Sequence, residues 1–239
     1  MKVLILNSGM GTRMGVLTKE HPKCMTDISS SESILSRQLK IIAGSGITDV
    51  IMTTGYFEDV LKEYCDSLKL PLNITFIKNP HYSQTNYIYS IYCARQALDD
   101  DIIMMHGDLV FDEKVFKSIL TSNRNCMAAS TTSPLPEKDF KAVVDGDRIK
   151  KVGVEFFENA LTAQALYKIN KESWNLWLDK ISEFCENDNT KCYAENAFNE
   201  ISDICELYVC DFKDELCNEI DDATDLEYVV SRLRELNDL

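Results

Sequence analysis

The feature that most constrains this chain lies near its start, where the apolar run Val3-Leu4-Ile5-Leu6 breaks into Asn7-Ser8-Gly9-Met10-Gly11-Thr12-Arg13-Met14-Gly15. A short unbroken run of branched residues predicts a strand buried on both faces of a parallel sheet, which points to the α/β class. The chain then turns at Gly9 and Gly11, where a missing Cβ permits positive φ and lets backbone N–H groups approach a bound anion. After a polar excursion, Pro22-Lys23 returns a second cation beside Arg13. The spacing matches neither the Gly-Lys-Ser/Thr ending of a P-loop nor the Gly-x-Gly-x-x-Gly entry to a dinucleotide helix. A plain turn after a first strand would account for the glycines alone. Strand, glycines, arginine and lysine together point to a site for nucleotide phosphates.

Composition narrows the ligand. The chain has 239 residues, enough for one large domain or two small ones, and one domain is the simpler reading. Its formal net charge of −14 argues against nucleic acid or an anionic membrane as partner, since both are polyanions. No segment has the apolar length to cross a bilayer, and the N-terminal apolar run is too short for a signal peptide. Nine cysteines at irregular spacing, without a Cys-x-x-Cys pair, predict reduced thiols and a cytoplasmic protein. The scattered histidines His21, His81 and His106 offer no zinc cluster, and Cys24 is expected to pack rather than react. A small anionic substrate stays compatible with the charge, because local cations and a divalent metal held by acidic residues can bind it.

Taken in order, the pattern predicts a helix from Ser33 to the glycines 44 and 46, a strand over 48–53 and a helix over 58–67. A strand over 72–77 follows, then a polar turn over 82–86 and a helix through Leu98. Thr85, Asn86 and Ser90 carry amide and hydroxyl groups suited to reading the edge of a base. The apolar stretch 101–106 predicts another buried strand, ending in Gly107-Asp108 at the sheet edge that open α/β folds use for ligands. Asp108 is therefore a candidate metal ligand, although aspartate is also an ordinary turn former. A helix over 113–121 and a strand over 126–131 complete the first half. Beyond Ser133 come a hairpin turning at Asp145-Gly146-Asp147, a strand over 162–169 and an amphipathic helix over 172–185 carrying Trp174 and Trp177 as packing anchors. Near the end, Tyr193 to Asn199 is both polar and aromatic. Glu219-Ile220-Asp221 then suggests a short strand entering the core before a closing helix over 224–236. Asp221 is the second candidate metal ligand, a solvated helix start being the alternative.

Asn7-Ser8-Gly9-x-Gly-x-Arg13, Pro22-Lys23, Asn86-x-x-x-Ser90, Gly107-Asp108 and Glu219-Ile220-Asp221 together resemble the nucleotidyltransferases that activate sugars and amino alcohols. The resemblance is strongest to bacterial phosphocholine cytidylyltransferases and the related phosphonate cytidylyltransferases, and it covers nearly the whole chain. Asn7-Ser8 departs from the two alanines common there, adding polar groups beside the triphosphate.

The resemblance implies a Rossmann-like three-layer α/β/α nucleotidyltransferase fold with a mixed, mostly parallel sheet. It implies a single domain, with a nucleotide half over about 1–132 and an acceptor half over about 133–239. Leu6, Asn7, Ser8, Gly9, Gly11, Thr12, Arg13, Lys23, Thr85, Asn86, Ser90 and Asp108 are then expected at CTP. Arg13, Lys23, Asp108 and Asp221 are expected to be catalytic, with Mg²⁺ on Asp108 and Asp221. The expected reaction joins CMP to a small phosphonate or phosphate amine with release of pyrophosphate. Phe140, Lys141, Gln164, Tyr193, Glu195 and Asn196 are the acceptor candidates, with Lys141 on the phosphonate. Glu195 and Asn196 can hydrogen-bond a primary ammonium, which favours 2-aminoethylphosphonate over phosphocholine. A sugar 1-phosphate acceptor and a catalytically silent nucleotide-binding regulator are the remaining alternatives. The sequence leaves the oligomeric state open, with a homodimer admitted.

Overall fold

The computed structural model describes residues 1–9, 11, 14–15 and 18–236. The expected nucleotide ligands Thr12 and Arg13 lie outside the described residues. In chain order the strands are β1 (Lys2–Leu6), β2 (Asp49–Thr54), β3 (Asn73–Lys78), β4 (Ile102–His106), β5 (Leu109–Phe111), β6 (Cys126–Ser130), β7 (Lys141–Asp145), β8 (Arg148–Gly153), β9 (Ala160–Ile169), β10 (Leu207–Asp211) and β11 (Cys217–Glu219). The helices are α1 (Ile34–Gly44), α2 (Glu58–Ser67), α3 (Tyr87–Ala94), α4 (Glu113–Thr121), α5 (Lys171–Glu186), α6 (Ala194–Ile201) and α7 (Ala223–Glu235).

Nine strands form one sheet in the order β3-β2-β1-β4-β9-β6-β10-β8-β7. The sheet is mixed as expected but not mostly parallel, since four of its pairings are parallel and five antiparallel. Its parallel character resides in β3-β2-β1-β4 and in the β6–β10 pair, and the other pairings are antiparallel. Strand β9 lies between β4 and β6, so the two halves interleave, and β7 returns to pair with β9 as well as β8.

Alternation along the central strands builds the three layers. Val3, Ile5, Val50, Met52, Ile103 and Met105 face one side, against Leu35 and Leu39 of α1, Leu61 of α2 and Phe116 of α4. Leu4, Leu6, Ile51, Ile102 and Met104 face the other, against Ile88 and Ile91 of α3, Trp174 and Trp177 of α5 and Phe198 of α6. Because successive side chains of a strand point to opposite faces, a continuous apolar run is what a strand covered on both sides requires. Both tryptophans are fully buried, as expected of packing anchors.

Helix α3 ends at Ala94 in a single 3-10 turn over Arg95–Ala97 instead of running on to Leu98. Strand β11 stops at Glu219, and Ile220 enters a small separate cluster with Val110, Val229 and Leu233 that seats α7. All nine cysteines are free. Among the described residues, no helix is long and apolar enough to cross a membrane.

Candidate functional site

Strands β1 and β4 run parallel with Leu6 opposite His106, so the segments after them leave the same sheet edge side by side. The Gly107 N–H donates to the Leu6 carbonyl at 3.1 Å, and a Cβ at Gly107 would fall on the Asn7 side chain. Gly11 has φ +61, and a Cβ there would stand 3.1 Å from the Lys23 Cβ. Gly11 thus serves both a positive-φ turn and a close approach to the lysine segment, whereas Gly9, expected to turn in the same way, has no positive φ and no neighbour within 4 Å of a Cβ.

Lys23 opens a 3-10 turn (Lys23–Met25) directly after Pro22. Its ammonium donates to Asp108 Oδ2 and to Asp221 Oδ1, each at 2.5 Å. Asp108 and Asp221 are brought together by the two-stranded ribbon of β5 and β11, in which Glu219 faces Leu109 and the Ile220 N–H donates to the Asp108 carbonyl at 3.0 Å. Burial works against the charge on Lys23, but Asp108 and then Asp221 hold its ammonium above the usual lysine value. Burial likewise opposes ionisation of Asp108, and Lys23 and His106 outweigh it, holding the carboxyl below its usual range.

These groups form the floor of a cavity of about 610 Å³ lined by residues of both halves. Of the residues expected at the nucleotide, Leu6, Asn7, Ser8, Gly9, Gly11, Lys23, Thr85, Asn86 and Asp108 line it. Asn7 Nδ2 is a buried donor without a partner among the described residues, the kind of group a phosphate oxygen satisfies. The Asn86 side-chain oxygen caps α3 by accepting from the Tyr87 N–H at 2.7 Å, leaving its amide nitrogen as the donor it can offer a base. Ser90 does not line the cavity. Its hydroxyl lies beneath the loop, 2.6 Å from the Ser8 hydroxyl, and accepts from Asn79 Nδ2 at 2.9 Å.

The expected acceptor set divides. Phe140 and Tyr193 line the cavity, with ring centroids 5.1 Å apart. Tyr87 stands 5.9 Å from Tyr193 and 4.7 Å from His106, so three aromatic faces and an imidazole meet in one corner. Lys141, expected on the acceptor's phosphonate, is fully buried and donates to the carbonyls of Pro136 at 2.7 Å and Asp139 at 3.1 Å. Burial pushes its pKa down. Gln164 is buried in β9 away from the cavity wall. Glu195 is 1% exposed and accepts from the hydroxyls of Tyr87 and Tyr167, while the Asn196 side-chain oxygen accepts from the Tyr193 N–H at 3.0 Å. Phe140 directly precedes β7, and its carbonyl already accepts from the Ala163 N–H of β9 at 3.0 Å; successive side chains of such extended chain point to opposite sides, so Phe140 reaches the cavity and Lys141 cannot follow it.

Sequence reasoning missed His106 and Glu219 as a pair. His106 Nδ1 lies 2.7 Å from Glu219 Oε1, and both residues line the cavity. Burial disfavours the His106 charge, but Glu219, ahead of Asp108 and Glu195, pushes its pKa up to about 9. Burial also pushes Glu219 up, against the pull of His106. The Glu219-Ile220-Asp221 motif carried half of this signal, but nothing local joins it to residue 106. Lys138 and Lys191, both exposed, add cations to the cavity lining. Cys24 is buried, which raises its thiol pKa well above the usual value and suits packing.

The donor set fits a hard divalent cation. Asp108 and Asp221 present carboxylate oxygens to one point, now shared by the Lys23 ammonium, and Asp108 Oδ1 is a buried acceptor without a partner among the described residues.

Comparison with known proteins gives the same direction. The CMP-5'-(3-aminopropyl)phosphonate synthase of Streptomyces rubellomurinus is 27% identical over 178 residues, covering 71% of this chain and 28% of that protein. A choline-phosphate cytidylyltransferase of Streptococcus pneumoniae is 29% identical over 121 residues, covering 51% of this chain and 50% of its own length. The chain thus spans half or less of the length of these curated relatives. The solved CTP:phosphocholine cytidylyltransferase of S. pneumoniae superposes with a TM-score of 0.76 at 16% identity, over 97% of this chain and 98% of that one. The fold is the nucleotidyltransferase fold, and the resemblance to cytidylyltransferases carried by the motifs is borne out. A family model described as "Domain of unknown function (DUF6564)" matches residues 19–181, so the chain belongs to that family.

Proposed function

We propose that the chain is a CTP-dependent cytidylyltransferase acting on a small phosphate or phosphonate with a cationic nitrogen. The observation that carries this reading is the Lys23 ammonium seated between Asp108 and Asp221, beneath a glycine loop at the C-terminal edge of parallel strands. An oxygen of the acceptor's phosphate or phosphonate attacks the α-phosphorus of CTP, a new P–O–P link forms, and the bond to the β-phosphate breaks to release pyrophosphate. The nucleophile needs no general base, because a phosphate's second pKa is about 6 and it is already an anion at neutral pH. What the protein must overcome is repulsion between two anions and the charge growing on the leaving group. Lys23, with Arg13 as the sequence expects, supplies fixed positive charge, while Asn7 Nδ2 and the loop N–H groups supply donors. Asp108 and Asp221 would hold Mg²⁺, which when bound neutralises phosphate charge.

The aromatic corner of Tyr87, Phe140 and Tyr193 supports a head group recognised by ring faces, as a trimethylammonium is. That favours phosphocholine. The sequence argument for 2-aminoethylphosphonate rested on Glu195 and Asn196, which bond within the protein and do not line the cavity. Similarity to an aminopropylphosphonate synthase supports an aminophosphonate as second reading. A pyrophosphate-release screen of the four nucleotides against phosphocholine, 2-aminoethylphosphonate, phosphoethanolamine and glucose 1-phosphate tests both. Turnover is expected with CTP and the nitrogen-bearing acceptors. Release with glucose 1-phosphate alone would overturn the reading.

A further inference from the structure

Glu195 sits in the first turn of α6, 1% exposed, behind the aromatic corner. One of its oxygens accepts from the Tyr87 hydroxyl, the other from the Tyr167 hydroxyl at 2.7 Å. Tyr167 belongs to the core: it is fully buried on β9, with its ring edge-on to Trp177 at 5.6 Å. Tyr87 belongs to the cavity, where it faces His106 and Tyr193. One carboxylate therefore ties a cavity ring to a core ring. Burial, and after it Glu195, raises both tyrosine pKa values well above normal, so both hydroxyls stay protonated and donate. Among the described residues no cation forms an ion pair with Glu195. Its two hydrogen-bond donors are neutral, and its charge reaches the His106 imidazole, whose pKa it helps to raise; a buried carboxylate so held is a costly way to secure a helix, for which an amide or an apolar side chain would serve.

We infer that Glu195 is a positioning and specificity-determining residue, which fixes the Tyr87 ring and places a negative charge behind the aromatic wall, selecting a cationic head group without touching it. The inference rests on the cytidylyltransferase reading. In a low-dielectric wall such a charge acts on the head group through the ring, whose own face is also negative. A neutral head group of the same shape gains nothing from it.

The test compares phosphocholine with its uncharged isostere 3,3-dimethylbutyl phosphate, and 2-aminoethylphosphonate with propylphosphonate, in the wild type, Glu195→Gln and Tyr87→Phe. Glutamine keeps the shape and one acceptor but removes the charge. The KM for the cationic acceptor should rise roughly tenfold in E195Q, with kcat, the KM for CTP and the KM for the neutral isostere unchanged. Y87F, which cuts the tie but keeps the charge, should weaken both members of each pair alike. The ratio of kcat/KM values for the two isosteres does not depend on how much of a variant is folded, so partial misfolding of E195Q does not obscure it. An equal loss for cationic and neutral acceptors in E195Q would leave Glu195 a structural residue and overturn the inference. Turnover of none of the acceptors by the wild type would instead remove the cytidylyltransferase reading, and the inference with it.

Discussion

Replacing Gly55 by alanine tests how tightly the anion loop is held. Gly55 follows β2, and a Cβ built on it would stand 2.4 Å from the Ser8 carbonyl oxygen and 3.2 Å from the Tyr82 Cβ. Its φ lies outside the left-handed region, so alanine costs nothing in backbone conformation and the effect is pure contact. Restoring 3.0 Å, below which real Cβ contacts essentially never fall, moves the Ser8 backbone by at least 0.6 Å, the difference between 3.0 and 2.4 Å. That displacement works against the Asn7 N–H bond to Thr53 Oγ1 at 3.1 Å and the Ser8–Ser90 contact at 2.6 Å. Overpacking of this kind costs about 1–3 kcal/mol. At roughly 2–4 °C per kcal/mol for a chain of this size, the melting temperature should fall by about 2–12 °C. Because Asn7 and the loop line the cavity proposed to take CTP, the KM for CTP should rise roughly tenfold, given that ångström-scale misplacement can cost about a hundredfold. Gly44→Ala is the control: it ends α1 with nothing within 4 Å, and it should gain about 0.5–1 kcal/mol from helix propensity. Differential scanning calorimetry and initial rates read both variants. A G55A protein with wild-type melting and unchanged KM for CTP would refute the packing argument.

Asp108→Asn should abolish pyrophosphate release while far-UV circular dichroism stays native, and retained turnover would remove Asp108 from the mechanism. Lys23 shares the two carboxylates expected to hold metal, so Lys23→Gln should bind Mn²⁺ at least tenfold more tightly than nucleotide-free wild type by electron paramagnetic resonance, roughly 1.4 kcal/mol; equal affinity would show that the ammonium and the metal do not compete. The His106–Glu219 pair gives a pH signature in chelated protein. With its folded pKa raised from 6.5 to about 9, His106 contributes stability that is fully present below pH 6.5 and lost as pH rises toward 9. At about 1.4 kcal/mol per unit, the loss is at most roughly 3.5 kcal/mol. Urea midpoints should decline over that window in the wild type and not in His106→Asn, and parallel declines would assign the slope elsewhere.

Much of the first half was legible. Parallel strands covered on both faces must be apolar throughout, and Val3–Leu6, Val50–Met52 and Ile102–Met105 announce themselves by composition alone. For β11 the sequence suggested a short strand at Glu219-Ile220-Asp221, two residues past its start at Cys217, but β5 and the pairing of the two were not legible, because three-residue strands are too short for periodicity to register. Strand β10 was missed too. Apart from Leu207 it is only partly buried, and it pairs with segments some 60 and 80 residues earlier in the chain. Helix α6 hides its apolar face, Ala194, Ala197 and Phe198, among amides and carboxylates, so Tyr193 to Asn199 read as a polar aromatic stretch.

The same division holds at the site. Glycine spacing, Pro22-Lys23 and an aspartate at the end of a buried strand are local signals, and they pointed to the edge of a parallel sheet as the place of the candidate site. Which side chains meet there was decided by pairing between distant segments. The β5–β11 ribbon carries Asp221 to Asp108, the same ribbon carries Glu219 to His106, and strand alternation turns Phe140 toward the cavity and Lys141 away from it. A residue's type states which bonds it can make. Only the packed chain decides with whom, because direction along a strand reverses at every residue while composition does not change.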